Sequence, residues 1–198
     1  MKISRILAIA GLVVAGTAVA GGGGEAGSSF LFRFAGGTGN QVFRNAATGP
    51  ILNAVAGVNA AGAPWGITSF EAIVKLNGEI SANGRGVLLL GGDGIGTRGG
   101  PRQVILSLFC RVPPVPPATT SALNLVPFNS APTDLNVDGA FALRGSLTDA
   151  TGAAPPLNCG DVNDNRPVLL IRSVTPANPT TGTPATPGAW FAAGFIAR

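Results

Sequence analysis

The sequence predicts an all-β protein: a single antiparallel β-sandwich or jelly-roll-like barrel with one disulfide. Three observations carry that expectation. Glycine (30) and proline (16) are abundant among the 198 residues, and both disfavour helix. Short runs alternating apolar and polar residues recur between Gly-, Pro- and Asn-rich breaks. Beyond the N-terminal segment, no stretch repeats its apolar residues at helical spacing.

The first segment is an address rather than a structural element. "MKISRILAIAGLVVAGTAVA" has a basic start at Lys2 and Arg5 and an apolar run from Ile6 to Gly16. Ala18-Val19-Ala20 fits the small-residue rule for cleavage. Residues 1–20 therefore read as a secretory signal peptide, and the protein as secreted or periplasmic. No later run is long enough to predict a transmembrane segment after cleavage. Residues 21–29, "GGGGEAGSS", read as a flexible leader, and 30–198 as one β-domain.

"FLFRF" alternates Phe30, Phe32 and Phe34 with Leu31 and Arg33, which marks a strand. "NQVFRNAA" (40–47) is a weaker strand, and 57–67 is irregular around Trp65. "TSFEAIVKLNGEISANGRG" is a hairpin turning at Asn77-Gly78. A two-residue turn would set an apolar row against a polar one. A three-residue loop, Leu76 to Gly78, pairs Val74 with Ile80, Ala72 with Ala82, Phe70 with Gly84 and Lys75 with Glu79, so the longer loop is predicted. "RGVLLLGG" is read as extending the second arm, and 91–100 as a loop.

"RQVILSLFCRV" (102–112) is a strong strand with Val104, Leu106, Leu108 and Cys110 on one face. A polyproline-like linker follows at 113–122. "LNLVPF", "GAFALRGSL", "PVLLIRSV" and "AWFAAGFIA" supply further strands, and a Pro/Thr loop spans 175–188. Cys110 and Cys159, the two cysteines, pair most simply with each other in an oxidising compartment. Closing a loop of that span contributes ~4 kcal/mol in the chain-entropy model.

Composition narrows the function. Charged residues are 11% of the chain, and the basic ones are scattered singly, without the aromatic interleaving of a nucleic-acid surface. Histidine and tyrosine are absent, which removes His-dependent triads and the usual zinc sites. "GIGTRG" (94–99) spells a dinucleotide fingerprint, but Gly100-Pro101 and a β-pattern follow where a helix is required. "DLNVDG" (134–139) matches the first half of an EF-hand loop, yet Gly145 stands where the bidentate acid belongs; a turn into the next strand is expected.

The remaining motif is "DVNDNRP" (161–167). It resembles the calcium-binding linker of cadherin repeats. The resemblance covers these seven residues and implies calcium ligands at Asp161, Asn163, Asp164 and Asn165. The acidic partner motifs of a cadherin repeat are missing, so a solvated Asx-rich turn beside the disulfide is the competing reading. At whole-chain level, "GVNAAGAPW", "PVLLIR" and "AWFAAG" are similar to segments of small secreted bacterial β-proteins.

These features lead to a secreted, non-enzymatic structural or interaction protein of the cell envelope or extracellular matrix. It needs no cofactor, and its partner is another protein or the envelope surface. Self-association through an unpaired "FLFRF" or "AWFAAGFIA" strand is one route. The alternatives are a calcium-stabilised binding module and, more remotely, a glycoside hydrolase using two carboxylates.

Overall fold

The computed structural model describes residues 30–45, 47, 49–112, 122–123, 126–161 and 166–197. The signal peptide and the Gly-rich leader expected at 1–29 lie outside them. The strands in chain order are β1 (Phe30–Gly39), β2 (Val42–Asn45), β3 (Gly49–Leu52), β4 (Trp65–Gly66), β5 (Ser69–Lys75), β6 (Glu79–Arg85), β7 (Leu88–Leu89) and β8 (Gln103–Phe109). They continue as β9 (Arg111–Val112), β10 (Ala122–Leu123), β11 (Phe128–Asn129), β12 (Thr133–Asp134), β13 (Phe141–Ser146), β14 (Val168–Thr175) and β15 (Thr186–Ile196). Among the described residues there is no helix, and hence none long and apolar enough to cross a membrane.

Nine of these strands form one antiparallel sheet, ordered β11-β8-β14-β15-β1-β5-β6-β13, with β12 beside β11 on β8. The sheet curls until its ends meet. Asn129 of β11 and Thr148, just past β13, exchange backbone hydrogen bonds of 2.7 and 3.0 Å. The expected all-β architecture is therefore realised as a nearly closed barrel. This near closure covers part of the edges that an open sheet would carry.

Alternation decides what faces inward. Phe32 and Phe34 of β1, Phe70, Ala72 and Val74 of β5, Ile80 and Ala82 of β6, and Phe141 and Leu143 of β13 are all buried in one core. Leu106, Leu108, Leu169 and Ile171 complete it from β8 and β14. The β5–β6 hairpin has the predicted register, with Val74 opposite Ile80, Ala72 opposite Ala82 and Phe70 opposite Gly84. Gly78 takes φ +82° at the turn, where a side chain would be strained. On the wet face Lys75 reaches Glu79 at 2.6 Å.

β8 and β14 are buried on both faces, because a second layer covers them. Residues 53–61 lie as a strap over the barrel wall, sealing Phe109, Leu170 and Trp190 around Ala60. Trp190 binds the strap three times: its N–H donates to Asn59 O (3.1 Å), its O accepts from Ala61 N (3.0 Å), and its indole Nε1 donates to Asn53 O (2.9 Å). A register shift opposite Ile171 and Arg172 leaves Phe191 as an extra residue in β15. Phe191 turns toward Trp65 instead, with ring centroids 4.0 Å apart. This bulge explains how consecutive bulky residues in "AWF" are all accommodated.

Asn40 fastens the strap region to the barrel. It is fully buried just past β1. Its Nδ2 donates to Ala61 O (3.0 Å) and Trp190 O (3.3 Å), while its Oδ1 accepts from Trp65 N (2.7 Å).

The seam is closed by a polar relay. Arg172 is 9% exposed, and its guanidinium donates to Gly188 O (2.8 Å), Pro187 O (3.0 Å) and Ser107 Oγ (3.3 Å). Ser107 Oγ in turn donates to Asn129 Oδ1 at 2.6 Å. Arg172, Ser107, Asn129 and Thr148 thus link β14, β8, β11 and the end of β13. Burial lowers the Arg172 pKa, yet a guanidinium keeps its charge.

One sequence expectation is corrected. The segment after Arg85 does not extend the hairpin: Gly86 at φ +65° turns the chain away, and Leu88–Leu89 pair with Trp65–Gly66. The strand expected in "NQVFRNAA" is present as β2, which pairs with β3 in a separate two-stranded hairpin. "FLFRF" and "AWFAAGFIA" both lie inside the sheet: β1 pairs with β5 along its first half and with β15 from Phe34 onward, and β15 pairs with β14 and β1.

Replacing Asn40 by alanine removes three side-chain hydrogen bonds from the strap's fastening: Ala61 O loses its Asn40 donor, while Trp65 N and Trp190 O keep only their backbone partners Asn40 O and Ala61 N. It is expected to destabilise the protein by about 2–4 kcal/mol, read from urea unfolding. A loss below 1 kcal/mol would mean that the strap is not held through this side chain.

Candidate functional site

The loop singled out by sequence hangs from the disulfide. Cys110 follows β8 with its side chain inward, and it is bonded to Cys159 as expected, across a sequence separation of 49. Both cysteines are buried. Arg111 then grips both ends of the loop: its N–H donates to Cys159 O (2.9 Å) and its Nε to Arg166 O (3.3 Å). Of the calcium candidates, Asp161 is exposed at the start of the loop. Asn163, Asp164 and Asn165 lie outside the described residues. The fold thus sets the two ends of the loop and places the Arg111 cation against the Arg166 carbonyl at one of them. Calcium sites normally gather oxygen ligands with an excess of negative charge.

The "DLNVDG" turn occupies the opposite end of the barrel. Gly139 leads into β13 as expected, and Asp138 Oδ1 accepts from Ala140 N (3.1 Å), closing its own turn. Asp134 Oδ1 accepts from Gln103 Nε2 (3.2 Å), and Leu135 O from Arg98 Nη1 (2.8 Å). Oxygens that an EF-hand would aim at a metal are thereby engaged with nitrogen donors. Among the described residues no cluster of three or more His, Cys, Asp or Glu is placed to hold a metal ion.

The same turn does build a recess. A cavity of about 590 Å³ lies between Arg98, Arg102, Asp134 and Asp138, beside the exposed Val137. A second, of about 670 Å³, continues from Arg102 and Asp134 to Pro101, Val174 and Pro176. Together they form one amphipathic cleft across the barrel end, with both signs of charge at its centre and apolar walls at its edge. Arg98 is fixed by its carbonyl contacts to Leu135 and Pro101 (3.4 Å), so one cation of the cleft is preorganised. Asp134 and Asp138 are the two carboxylates brought into this recess, and both are exposed. A glycosidase acid is normally held in a water-poor pocket, which neither of them occupies.

The "GIGTRG" loop contributes Arg98 to this cleft, and no helix follows it: Gly100 and Pro101 lead to β8. The cleft was not foreseen, because Arg98, Arg102 and Asp134 come from segments that meet only once β8 and β12 pair. A further recess of about 590 Å³ lies over the seam, between Asn129, Ser130, Ser146 and Asp149. Asp149 is held below the usual carboxylate range, chiefly by the Thr151 hydroxyl (2.7 Å) and also by the Ala153 N–H (2.9 Å).

No known family model, curated protein or solved structure matches the chain.

Two outcomes follow. Cys110→Ser with Cys159→Ser is expected to cost ~4 kcal/mol in urea unfolding, as closure of a loop of this span contributes; a loss under 1 kcal/mol would show the loop to be held by other contacts. The lowered Asp149 pKa gives stability that is full above the ordinary Asp range and lost as pH falls through the folded-state value. Carboxyl carbon NMR should place the Asp149 midpoint below that of the unfolded chain, and Thr151→Val should raise it. An unmoved midpoint in the variant contradicts the assignment.

Proposed function

We propose that this chain is a secreted, non-enzymatic interaction or structural protein of the cell envelope or extracellular matrix. In this reading, a rigid barrel presents its end loops to a protein or envelope partner. The observation that carries it is the filled interior: Phe32, Phe34, Phe70, Leu106, Leu169 and Phe141 occupy the space where a ligand-carrying barrel keeps a cavity. Recognition then falls to the outside. The Arg102–Asp134 cleft suits it, since one of its cations is already fixed and its walls are apolar.

Binding to an isolated envelope fraction tests this reading. The mature protein should co-sediment with the fraction, and Arg98→Glu with Arg102→Glu should weaken the association about tenfold or more, as expected for two lost charge contacts. A monomer by sedimentation velocity that stays in the supernatant would overturn it.

A calcium-stabilised module is the second reading, favoured by one observation: the disulfide and Arg111 pin both ends of the 159–166 loop, which reduces the entropy lost on binding. It predicts a melting temperature that rises in millimolar calcium and a rise that disappears in Asp161→Ala with Asp164→Ala. An unchanged melting temperature in the parent ends it.

A further inference from the structure

We propose that the hydroxyls of Thr180, Thr181 and Thr183, at the tip of the β14–β15 connection, are acceptors for O-linked sugars. The connection leaves β14 at Thr175 and re-enters the sheet at Thr186, which is paired with it. Between them the chain projects from the barrel end as a small secondary hairpin. Asn178 and Thr183 form its bridge, with Asn178 N donating to Thr183 O at 2.9 Å. Asn178 Oδ1 accepts from Thr180 N (2.9 Å) and Thr181 N (3.4 Å), which fixes the turn. Every residue from 175 to 184 is exposed.

The segment "TPANPTTGTPAT" fits no structural need of the barrel. No residue in 176–185 has a large apolar side chain or a charge, and none belongs to either core cluster. Thr- and Pro-rich composition in an extracytoplasmic chain is the composition of O-glycosylated segments. Pro179 before Thr180 and Pro184 after Thr183 keep the flanking backbone out of helix and ladder, and thus open to a transferase. Asn178-Pro179-Thr180 also spells an N-glycosylation site with proline at its forbidden middle position, so the hydroxyls are the acceptors. The Thr181 and Thr183 hydroxyls already lie 2.8 Å apart at the tip, pointing to the same side.

The chemistry is a transfer from an activated sugar, a nucleotide- or polyprenyl-phosphate-linked donor, on a separate transferase. The threonine Oγ forms the bond to the anomeric carbon. The bond from that carbon to the phosphate oxygen breaks, and the phosphate leaves with the electron pair. The hydroxyl proton passes to a base of the transferase.

The proposal rests on the secretory reading, and one measurement separates the two. The protein is purified from its producing organism, and its intact mass and its tryptic peptide 173–198 are measured by mass spectrometry. The expected result is an N-terminus processed near Ala20, with the peptide carrying added hexose, deoxyhexose or hexosamine masses. Thr180→Val, Thr181→Val and Thr183→Val together should remove those masses at an unchanged melting temperature. A processed chain with the bare peptide mass overturns the glycosylation and leaves the secretory reading standing. An unprocessed chain with the bare mass overturns both. Phosphate or another non-sugar addition on this peptide also overturns the proposal, as does sugar that persists in the triple variant.

Discussion

The barrel depends on a charged side chain placed where charge is costly. Arg172 sits on the outer face of β14, beneath the carbonyls of Pro187 and Gly188. A guanidinium can be buried only if its donors find acceptors, and here three are supplied by neutral oxygens. One of these, Ser107 Oγ, passes the connection on to Asn129, whose backbone holds Thr148 across the seam. Desolvation of the cation and closure of the sheet are therefore coupled. The seam is otherwise thin. Alternate backbone groups of β13 point away from β6; Ala142 O is taken by Thr133 Oγ1 (2.9 Å) and Thr148 by Asn129, while those of Arg144 and Ser146 between them have no strand partner among the described residues.

The two sides of the barrel solve the burial problem differently. β5 and β6 alternate strictly and β13 does so as far as Arg144, with one dry face and one wet face carrying Lys75, Glu79, Ser81 and Arg144. β8, β14 and β15 are covered outside by the strap at 53–61 and its fastening at Asn40, so their sequences are apolar on both faces. Part of the sheet's outer surface is thereby a second, smaller core. β1 and β15, the first and last of these strands, lie side by side at the junction of the two halves. Such sequence-distant pairing implies slow folding relative to the β5–β6 hairpin.

Local patterns were legible in the sequence wherever one residue face competes with another. The β5–β6 register followed from the cost of setting Val74 and Phe70 against polar partners, and the inward aim of Cys110 followed from its place in the alternation of β8. The disulfide needed only a solitary pair and an oxidising address. What escaped depends on long-range pairing. Asn40 is an ordinary polar residue after "GGTG" until Trp65 and Trp190 arrive beside it. Arg172 left a faint signal, a cation inside "PVLLIRSV", but nothing near it in sequence names Ser107 as its partner. The seven-residue likeness at 161–167 located a loop whose ends are fixed, without the neighbouring acids that give the motif its chemistry elsewhere.

On the reading proposed above, a filled barrel with a disulfide at one end presents the loops of the other end to a partner. The Arg102–Asp134 cleft and the Thr-bearing hairpin share that second end, where Val174 and Pro176 line the cleft. Their geometry depends on the barrel remaining closed. The most direct test is native-state amide hydrogen exchange on the parent and on Ser107→Ala. The account predicts that the variant speeds exchange at Asn129 and Thr148 while the amides linking β14, β15 and β1 keep their rates. Uniform acceleration across the sheet, or no change at Asn129 and Thr148, would contradict it.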